Sequence, residues 1–327
     1  MVIIMSFSPA PPMLLQQLLA AKLGAMPLRV VSFDEMAGSE RKQALAQAEV
    51  ALGDYTFRHQ VNEALLAQMP ALKFLQQPSA GFEHIDLQAC RARGVRVANT
   101  PGVNAAAVAE HSIMVALALL KRLPLANAAM HAGKWTQHEL GWVRGIYELL
   151  GKKWGIVGCG AVGREVAKRL AAFGVDVMYY DPRRLAPEQE SEWGVKYQPL
   201  DHLLRLADIV SLHVPLTPET RGLIGVRELG LMKFSAILIN VARGEVVDEA
   251  ALAERLRTKR LGGAAVDVFS KEPIAPENPL LGLDNVILTP HIAGVTAEVR
   301  ERVTQMAVAN VVQFLLGQQP QYLVDLT

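Results

Sequence analysis

Three charged side chains suited to an anionic carbonyl compound stand in this chain, each in a short segment just after an apolar run. Arg243 lies in Asn240-Val241-Ala242-Arg243-Gly244-Glu245, and Glu272 in Asp267-Val268-Phe269-Ser270-Lys271-Glu272-Pro273. His291 lies in Thr289-Pro290-His291-Ile292-Ala293-Gly294. A guanidinium holds a carboxylate through two parallel hydrogen bonds. An imidazole gives or takes a proton near neutral pH. Ligands of open α/β sheets sit where strands end, and an Arg, a Glu and a His in three neighbouring strand-end segments are what keto-acid reduction needs. Singly, each is ordinary: an arginine after a strand is usually solvated, a lone histidine usually structural, and a glutamate before proline usually a loop acid.

A second constellation precedes them. The apolar run Trp154-Gly155-Ile156-Val157 leads into Gly158-Cys159-Gly160-Ala161-Val162-Gly163, and a helical pattern from Arg164 to Phe173 follows. The first glycine allows a tight turn, the second admits backbone N–H groups to a pyrophosphate, and the third lets helix and strand pack closely. The helix N-terminus adds partial positive charge. Asp181, eighteen residues beyond Gly163, ends the next apolar strand, where a carboxylate binds the adenosine ribose hydroxyls and repels a 2′-phosphate. The expected cofactor is therefore NAD, with Arg183 and Arg184 keeping NADP open because either could pair with that phosphate.

The elements that must position these groups alternate short apolar runs with helical patterns, the signature of a parallel sheet with crossover helices. In the first hundred residues the expected strands are Val2–Phe7, Leu28–Phe33, Val50–Asp54, Leu72–Gln76 and Val95–Ala98. Helices are expected over Met13–Leu23, Ser39–Ala48 and Asn62–Gln68. One long helix is expected over Ala105–Leu123, with Asn104 as N-cap. A second series follows: Trp154–Val157, Val175–Tyr180, Ile209–His213, Ala236–Asn240, Ala264–Val268 and Val286–Leu288. Arg183–Glu192 reads as a mobile connection. The last helix, about Ala297–Leu316, is expected to return to the first domain.

With 327 residues, 51% of them hydrophobic, the chain has the length of two globular domains. Thirty-three Lys and Arg against 32 Asp and Glu leave no concentrated basic composition, so no nucleic-acid partner is expected. Cys90 and Cys159 are unpaired in spacing, which points to a reducing compartment and a cytoplasmic location. No HExxH, CxxC or carboxylate cluster calls for a metal. The apolar start is too short for a signal segment, and the run Ile113–Leu120 ends at Lys121-Arg122, so no membrane association is expected.

Taken in order along nearly the whole chain, these segments resemble the D-isomer-specific 2-hydroxyacid dehydrogenases, which include phosphoglycerate, glyoxylate/hydroxypyruvate and D-lactate dehydrogenases. The match runs through Asn99-Thr100-Pro101-Gly102-Val103-Asn104, Val108-Ala109-Glu110-His111 and the glycine fingerprint. It continues through His213-Val214-Pro215-Leu216-Thr217-Pro218-Glu219-Thr220 and the three segments above. The resemblance implies an α/β fold of two doubly wound, parallel-sheet, Rossmann-like domains with an active-site cleft between them. Residues 1–103 and 295–327 would form a flavodoxin-like substrate domain, and 104–294 an NAD-binding domain with a dimerisation segment near 105–150. Arg243 would clamp the substrate carboxylate and C2 oxygen, His291 would act as acid and base, and Glu272 would fix the His291 tautomer.

The resemblance also implies that backbone groups of Ser79, Ala80 and Gly81 receive the substrate carboxylate and that Asp267 holds the nicotinamide carboxamide. His213, Val214, Pro215, Val241, Ala242 and Gly294 would line the cofactor, beside Gly158, Gly160, Ala161, Val162, Gly163 and Asp181. His111 is expected to be a packed structural histidine. The substrate would be a small 2-keto or 2-hydroxy acid, of glyoxylate/hydroxypyruvate type first, since an end at Thr327 leaves no regulatory domain, and of phosphoglycerate type second. The alternatives are a phosphite dehydrogenase-like enzyme and an NAD-sensing, corepressor-like interaction protein. A homodimer is expected through 105–150, which carries Trp135 and Trp142.

Overall fold

The structure is a computed structural model, and it describes residues 1–325. Apolar runs of three to five residues become strands, and the intervening amphipathic stretches become helices. The first part of the chain gives β1 (Val2–Ser6), α1 (Pro12–Leu23), β2 (Leu28–Ser32), α2 (Gly38–Gln47) and β3 (Ala48–Leu52). It continues with α3 (Glu63–Leu66), β4 (Phe74–Gln76), α4 (Leu87–Ala92) and β5 (Arg96–Ala98). These strands form one sheet of order β2-β1-β3-β4-β5, parallel throughout, which is the flavodoxin-type order. Strands covered on both faces need continuous apolar sequence. Ile4, Met5, Val50, Ala51, Phe74 and Leu75 are accordingly fully buried.

The second part opens with α5 (Ala105–Leu120), α6 (Leu123–His131) and a π-helical turn, Glu139–Gly145. Then come β6 (Lys153–Val157), α7 (Ala161–Leu170), β7 (Asp176–Tyr180), α8 (Pro187–Glu192), β8 (Val195–Tyr197) and α9 (Leu200–Leu206). They are followed by β9 (Ile209–Leu212), α10 (Val226–Leu231), β10 (Ile237–Asn240), α11 (Glu249–Arg257), β11 (Gly263–Val266) and β12 (Val286–Leu288). The seven strands are ordered β12-β11-β10-β9-β6-β7-β8, all parallel. The order reverses at β6 and β9, so the carboxyl ends of these strands flank the crevice where such sheets bind ligands. Last comes α12 (Ala297–Leu315), which packs on α1 and β4. Its Phe314 ring stacks on Phe74 at 4.8 Å between centroids.

Two compact units result. One comprises residues 1–103 together with the chain from residue 297; the other comprises Asn104–Thr296.

Local departures from the sequence expectations have physical causes. The helix expected over Ala105–Leu123 stops at Leu120, because Arg122 adopts φ +50°. Its guanidinium donates to the carbonyls of Gly145 and Arg144 at 2.9 and 2.8 Å. α5 and α6 are therefore bent 64° apart, and among the described residues no single helix is long and apolar enough to cross a membrane. Asn104 occupies the N-cap position of α5 without a side-chain cap; its amide lies instead where a side chain on Gly294 would need to be. The stretch Arg183–Glu192 contains α8, with Pro187 in its first turn. Glu190 ties that helix down by accepting the Tyr179 hydroxyl at 2.7 Å and the Arg184 guanidinium at 2.9 and 3.1 Å.

Alanine and other small residues on the inner face of α5 let α7 approach closely. Ala109, Ile113, Ala116 and Leu120 join Trp154, Ile156, Val166 and Leu170 in one buried cluster. That cluster fixes the strand–helix pair carrying the glycine motif.

Candidate active site

The glycine motif forms a cradle with no room for a side chain at its first and third glycines. Gly158 has φ +93°, and a Cβ there would stand 2.8 Å from the His213 backbone. At Gly163 a Cβ would meet the Gly158 carbonyl oxygen at 2.3 Å, whereas nothing lies within 4 Å of that position on Gly160. The first and third glycines thus serve packing. The second leaves the α7 N-terminus open, and that helix end attracts phosphate.

Asp181 closes the cradle on the far side. Its Oδ2 accepts the Cys159 N–H and its Oδ1 the Arg183 N–H, each at 3.0 Å. An ionised carboxylate has lone pairs to spare for two hydroxyls. Of the two arginines that kept NADP open, Arg184 is held by Glu190 and lies over the Tyr197 ring. Arg183 stays exposed beside the acid, and it is the Asp181 carboxylate that fits an unphosphorylated ribose. Asp181→Ala should shift the ratio of NADH to NADPH affinity toward NADPH by about 10- to 100-fold, from ~1.4–3 kcal/mol of lost bonds and relieved repulsion. Fluorescence titration with both nucleotides measures it, and an unchanged ratio would reject the assignment. Cys159 in the motif is buried, and burial pushes its thiol up to about 11, so it is an inert packing group.

His213 follows β9, and its Nε2 lies 2.9 Å from Ser211 Oγ, which also accepts the Trp154 indole N–H at 2.8 Å. The residue as a whole is partly buried, but its Nδ1 is fully so. Burial drives the imidazole from its ordinary 6.5 down to about 3. The folded state thus resists a proton that the unfolded chain accepts below pH 6.5. Stability should be level above that pH and fall by about 1.4 kcal/mol per unit of acidification below it. Thermal melts across this range read the slope, and His213→Gln should make it shallower, with the remainder carried by the other histidines that burial lowers, His84 and His111.

The loop after β10 is clamped by Asn240, which is buried. Its Oδ1 accepts the Ala242 N–H at 3.1 Å, and its Nδ2 donates to the Arg243 carbonyl at 2.9 Å. Val241 and Ala242 are thereby fixed at the strand end, and Arg243 Nη1 donates to the Ala242 carbonyl at 2.7 Å. Gly244 interlocks this loop with the one after β11: a Cβ at Gly244 would fall 1.9 Å from the Phe269 carbonyl carbon. Backbone cannot yield as a flexible side chain does, so Gly244→Ala should destabilise by about 3 kcal/mol, the upper end of the usual cost of overpacking. A Tm lowered by several degrees, together with lost activity, would register it; a wild-type melt would refute the interlock.

Across that interlock stands Glu272. Its Oε1 accepts the Phe269 N–H at 2.9 Å, and its Oε2 lies 2.7 Å from His291 Nδ1. Burial pushes the Glu272 carboxyl up, but the bonds from His291 and Phe269, with the charges of His291 and Arg243, more than offset it. The group titrates below the usual carboxylate value. Gly244 packs against Phe269, whose N–H Glu272 accepts, so the loop that carries Arg243 adjoins the Glu272–His291 pair. The side chains of His291 and Glu272 remain 36% and 35% exposed, so the imidazole is accessible to a small molecule.

His291 has φ +55°, a conformation that costs a non-glycine residue about 1 kcal/mol or more. It persists because its surroundings over-determine it. The His291 N–H donates to the Asp267 carbonyl at 2.8 Å. The Asp267 carboxylate, only 2% exposed, accepts from the Thr289 hydroxyl and the N–H groups of Ile292 and Ala293 at 2.6, 2.9 and 2.9 Å. Sequence reasoning gave Asp267 a cofactor role only and assigned nothing to Asn240, Gly244 or Thr289. All of them lie inside the quoted motifs, which was the signal available.

The Ser79–Gly81 loop belongs to the other unit. The Ser79 carbonyl accepts the Thr100 N–H at 3.0 Å, and the Ala80 carbonyl accepts the Asn99 amide at 2.8 Å. Gln77 Nε2 donates to Ser79 Oγ at 2.6 Å.

A parallel sheet with a glycine cradle, an acid at the end of the next strand and a histidine paired with a glutamate is an arrangement suited to a dinucleotide and a reacting carbonyl group. Residues 113–293 match the family model described as D-isomer specific 2-hydroxyacid dehydrogenase, NAD binding domain. A glyoxylate reductase of Thermococcus litoralis is 42% identical over 268 residues, covering 81% of this chain and 80% of that protein. A D-3-phosphoglycerate dehydrogenase of Archaeoglobus fulgidus is 42% identical over 75% of this chain but only 46% of its own length. Among solved structures, D-lactate dehydrogenase from Aquifex aeolicus complexed with NAD and lactic acid superposes with a TM-score of 0.81. It is 31% identical, and the match covers 96% of this chain and 95% of that one. The chain belongs to the D-isomer specific 2-hydroxyacid dehydrogenase family. It is an NAD-dependent oxidoreductase acting on 2-hydroxy acids at the CH–OH carbon.

Proposed function

We propose that this enzyme reduces glyoxylate, and hydroxypyruvate as a close analogue, with NADH. The observation that carries the reading is the Glu272–His291 pair on a loop interlocked with the loop of Arg243, both on the sheet that also bears the glycine cradle. The similarity to a glyoxylate reductase over four-fifths of both chains supports the choice of acid. The nicotinamide, when bound, supplies hydride to C2.

The rest is the work of this chain. Arg243 binds the substrate carboxylate and C2 oxygen and orients the carbonyl. His291 gives a proton to that oxygen from Nε2, since its Nδ1 is engaged by Glu272. In the reverse direction the same nitrogen removes the proton. Glu272 holds the ring in that tautomer and balances its positive charge. Backbone N–H groups of Ser79, Ala80 and Gly81 receive the substrate carboxylate, and residues 1–103 and 295–327 form the substrate domain. Gly158, Gly160, Ala161, Val162, Gly163, Asp181, His213, Val214, Pro215, Val241, Ala242, Asp267 and Gly294 bind the cofactor.

The enzyme acts in the cytoplasm as a homodimer built on residues 105–150. That reading is supported by the outward Leu123, Met130, Trp135 and Trp142, the last 84% exposed, a greasy surface that a partner would cover. Trp142→Glu should then yield a monomer by light scattering.

Following NADH absorbance against glyoxylate, hydroxypyruvate, pyruvate and phosphohydroxypyruvate tests the substrate. Glyoxylate should have the highest kcat/KM. Preference for phosphohydroxypyruvate would favour the phosphoglycerate reading, and NAD reduction by phosphite alone would replace the proposal.

A further inference from the structure

We infer that His111 and Thr289 are positioning residues for His291, acting in series through Asp267; this rests on the dehydrogenase reading above. His111 lies on α5, 180 residues from His291 in sequence. Its Nε2 is 3.4 Å from Thr289 Oγ1, and Thr289 Oγ1 is 2.6 Å from Asp267 Oδ1.

Hydrogen-bond inventory fixes the direction of the chain. An ionised carboxylate only accepts, so the single Thr289 proton goes to Asp267. Thr289 Oγ1 can then only accept from His111, whose Nε2 must carry the hydrogen. Burial keeps His111 below its ordinary value, against the pull of Asp267, so a neutral ring with one donor nitrogen is the form that fits.

The far end of the chain is the catalytic loop. The same Asp267 carboxylate accepts the Ile292 and Ala293 N–H groups, and the Asp267 carbonyl accepts the His291 N–H. Residues 289, 291, 292 and 293 are thus all fastened to one buried residue. That residue holds His291 in its left-handed conformation and so aims its ring at Glu272. The 2.6 Å contact gives Thr289 the larger part, and the 3.4 Å contact gives His111 the smaller.

The test compares Thr289→Val, Thr289→Ser, His111→Leu and the Val/Leu double variant in the full-length enzyme. Measurements are kcat and KM for glyoxylate, NADH affinity by fluorescence, and the His291 imidazole Cε1–H resonance, assigned by its loss in His291→Gln. Thr289→Val should lower kcat about tenfold, as expected when a reacting group is displaced by a fraction of an ångström. KM should stay within about twofold, and because Asp267 also belongs to the cofactor set any loss of NADH affinity should be several-fold smaller than the loss of kcat. Thr289→Ser should restore kcat to within about twofold of wild type.

His111→Leu should lower kcat about threefold with the same split, and it carries the test alone should Thr289→Val fail to fold. The double variant should be no slower than Thr289→Val, because links in series are lost only once. The His291 resonance should move in Thr289→Val and not in Thr289→Ser. Unchanged kcat in both single variants, losses confined to NADH affinity, or multiplicative effects in the double variant would each overturn the positioning role. A wild type that binds NADH but reduces no keto acid would instead overturn the dehydrogenase reading.

Discussion

His291→Ala should lower kcat by about three orders of magnitude while NADH still binds with wild-type affinity. A positioned general acid contributes about 10²–10⁴-fold. Here the imidazole is already oriented by Glu272 at 2.7 Å, which puts the expected loss in the middle of that range. Because His291 lies outside the glycine cradle, the nucleotide should not register the change. A His291→Gln variant separates proton transfer from packing: it keeps a polar side chain but supplies no titrating nitrogen, and should be as slow as alanine. Stopped-flow single turnovers with saturating NADH read the chemical step directly. A chemical step within tenfold of wild type would remove His291 from the mechanism.

Arg243→Ala is the second large effect, with kcat/KM for the keto acid expected to fall by about 10³-fold, ~4 kcal/mol. Two charge-assisted hydrogen bonds to a carboxylate are worth roughly this much. Arg243→Lys should recover no more than about a tenth of the loss, since an ammonium presents a point charge where a planar fork is needed. The guanidinium also helps hold Glu272 below its usual range, so in the alanine variant Glu272 should titrate at higher pH. The acid limb of the kcat profile should then move upward, because the His291 partner loses its charge sooner as pH falls. Steady-state kinetics over a pH series checks both, and an alanine variant with wild-type KM and kcat would refute the assignment.

Much of this was legible in the residues. Continuous apolar strands such as Ile209–Leu212 and Ile237–Asn240 admit little beside a parallel sheet, and the glycine spacing located its switch point. The loops that carry Arg243, Glu272 and His291 were legible because each follows a short apolar run read as a strand, while the roles given to the three residues came from the resemblance of the motifs taken in order. What escaped notice depends on contacts distant in sequence. The short edge strand Val195–Tyr197 has three residues and no alternation long enough to read. The break at Arg122 is a left-handed residue stabilised by carbonyls more than twenty positions away. Gly244 looks like any glycine until Phe269 is seen against it, and His111 like any core histidine until Thr289 is.

The double engagement of Asp181 bears on efforts to retune this enzyme for phosphorylated nucleotides. The acid we propose for the ribose also braces the Cys159 amide of the glycine turn. Removing it to admit an extra phosphate should therefore slacken the turn proposed to hold the pyrophosphate. A successful redesign must supply a neutral acceptor at the same spot, such as an asparagine carbonyl, before any new cation is introduced.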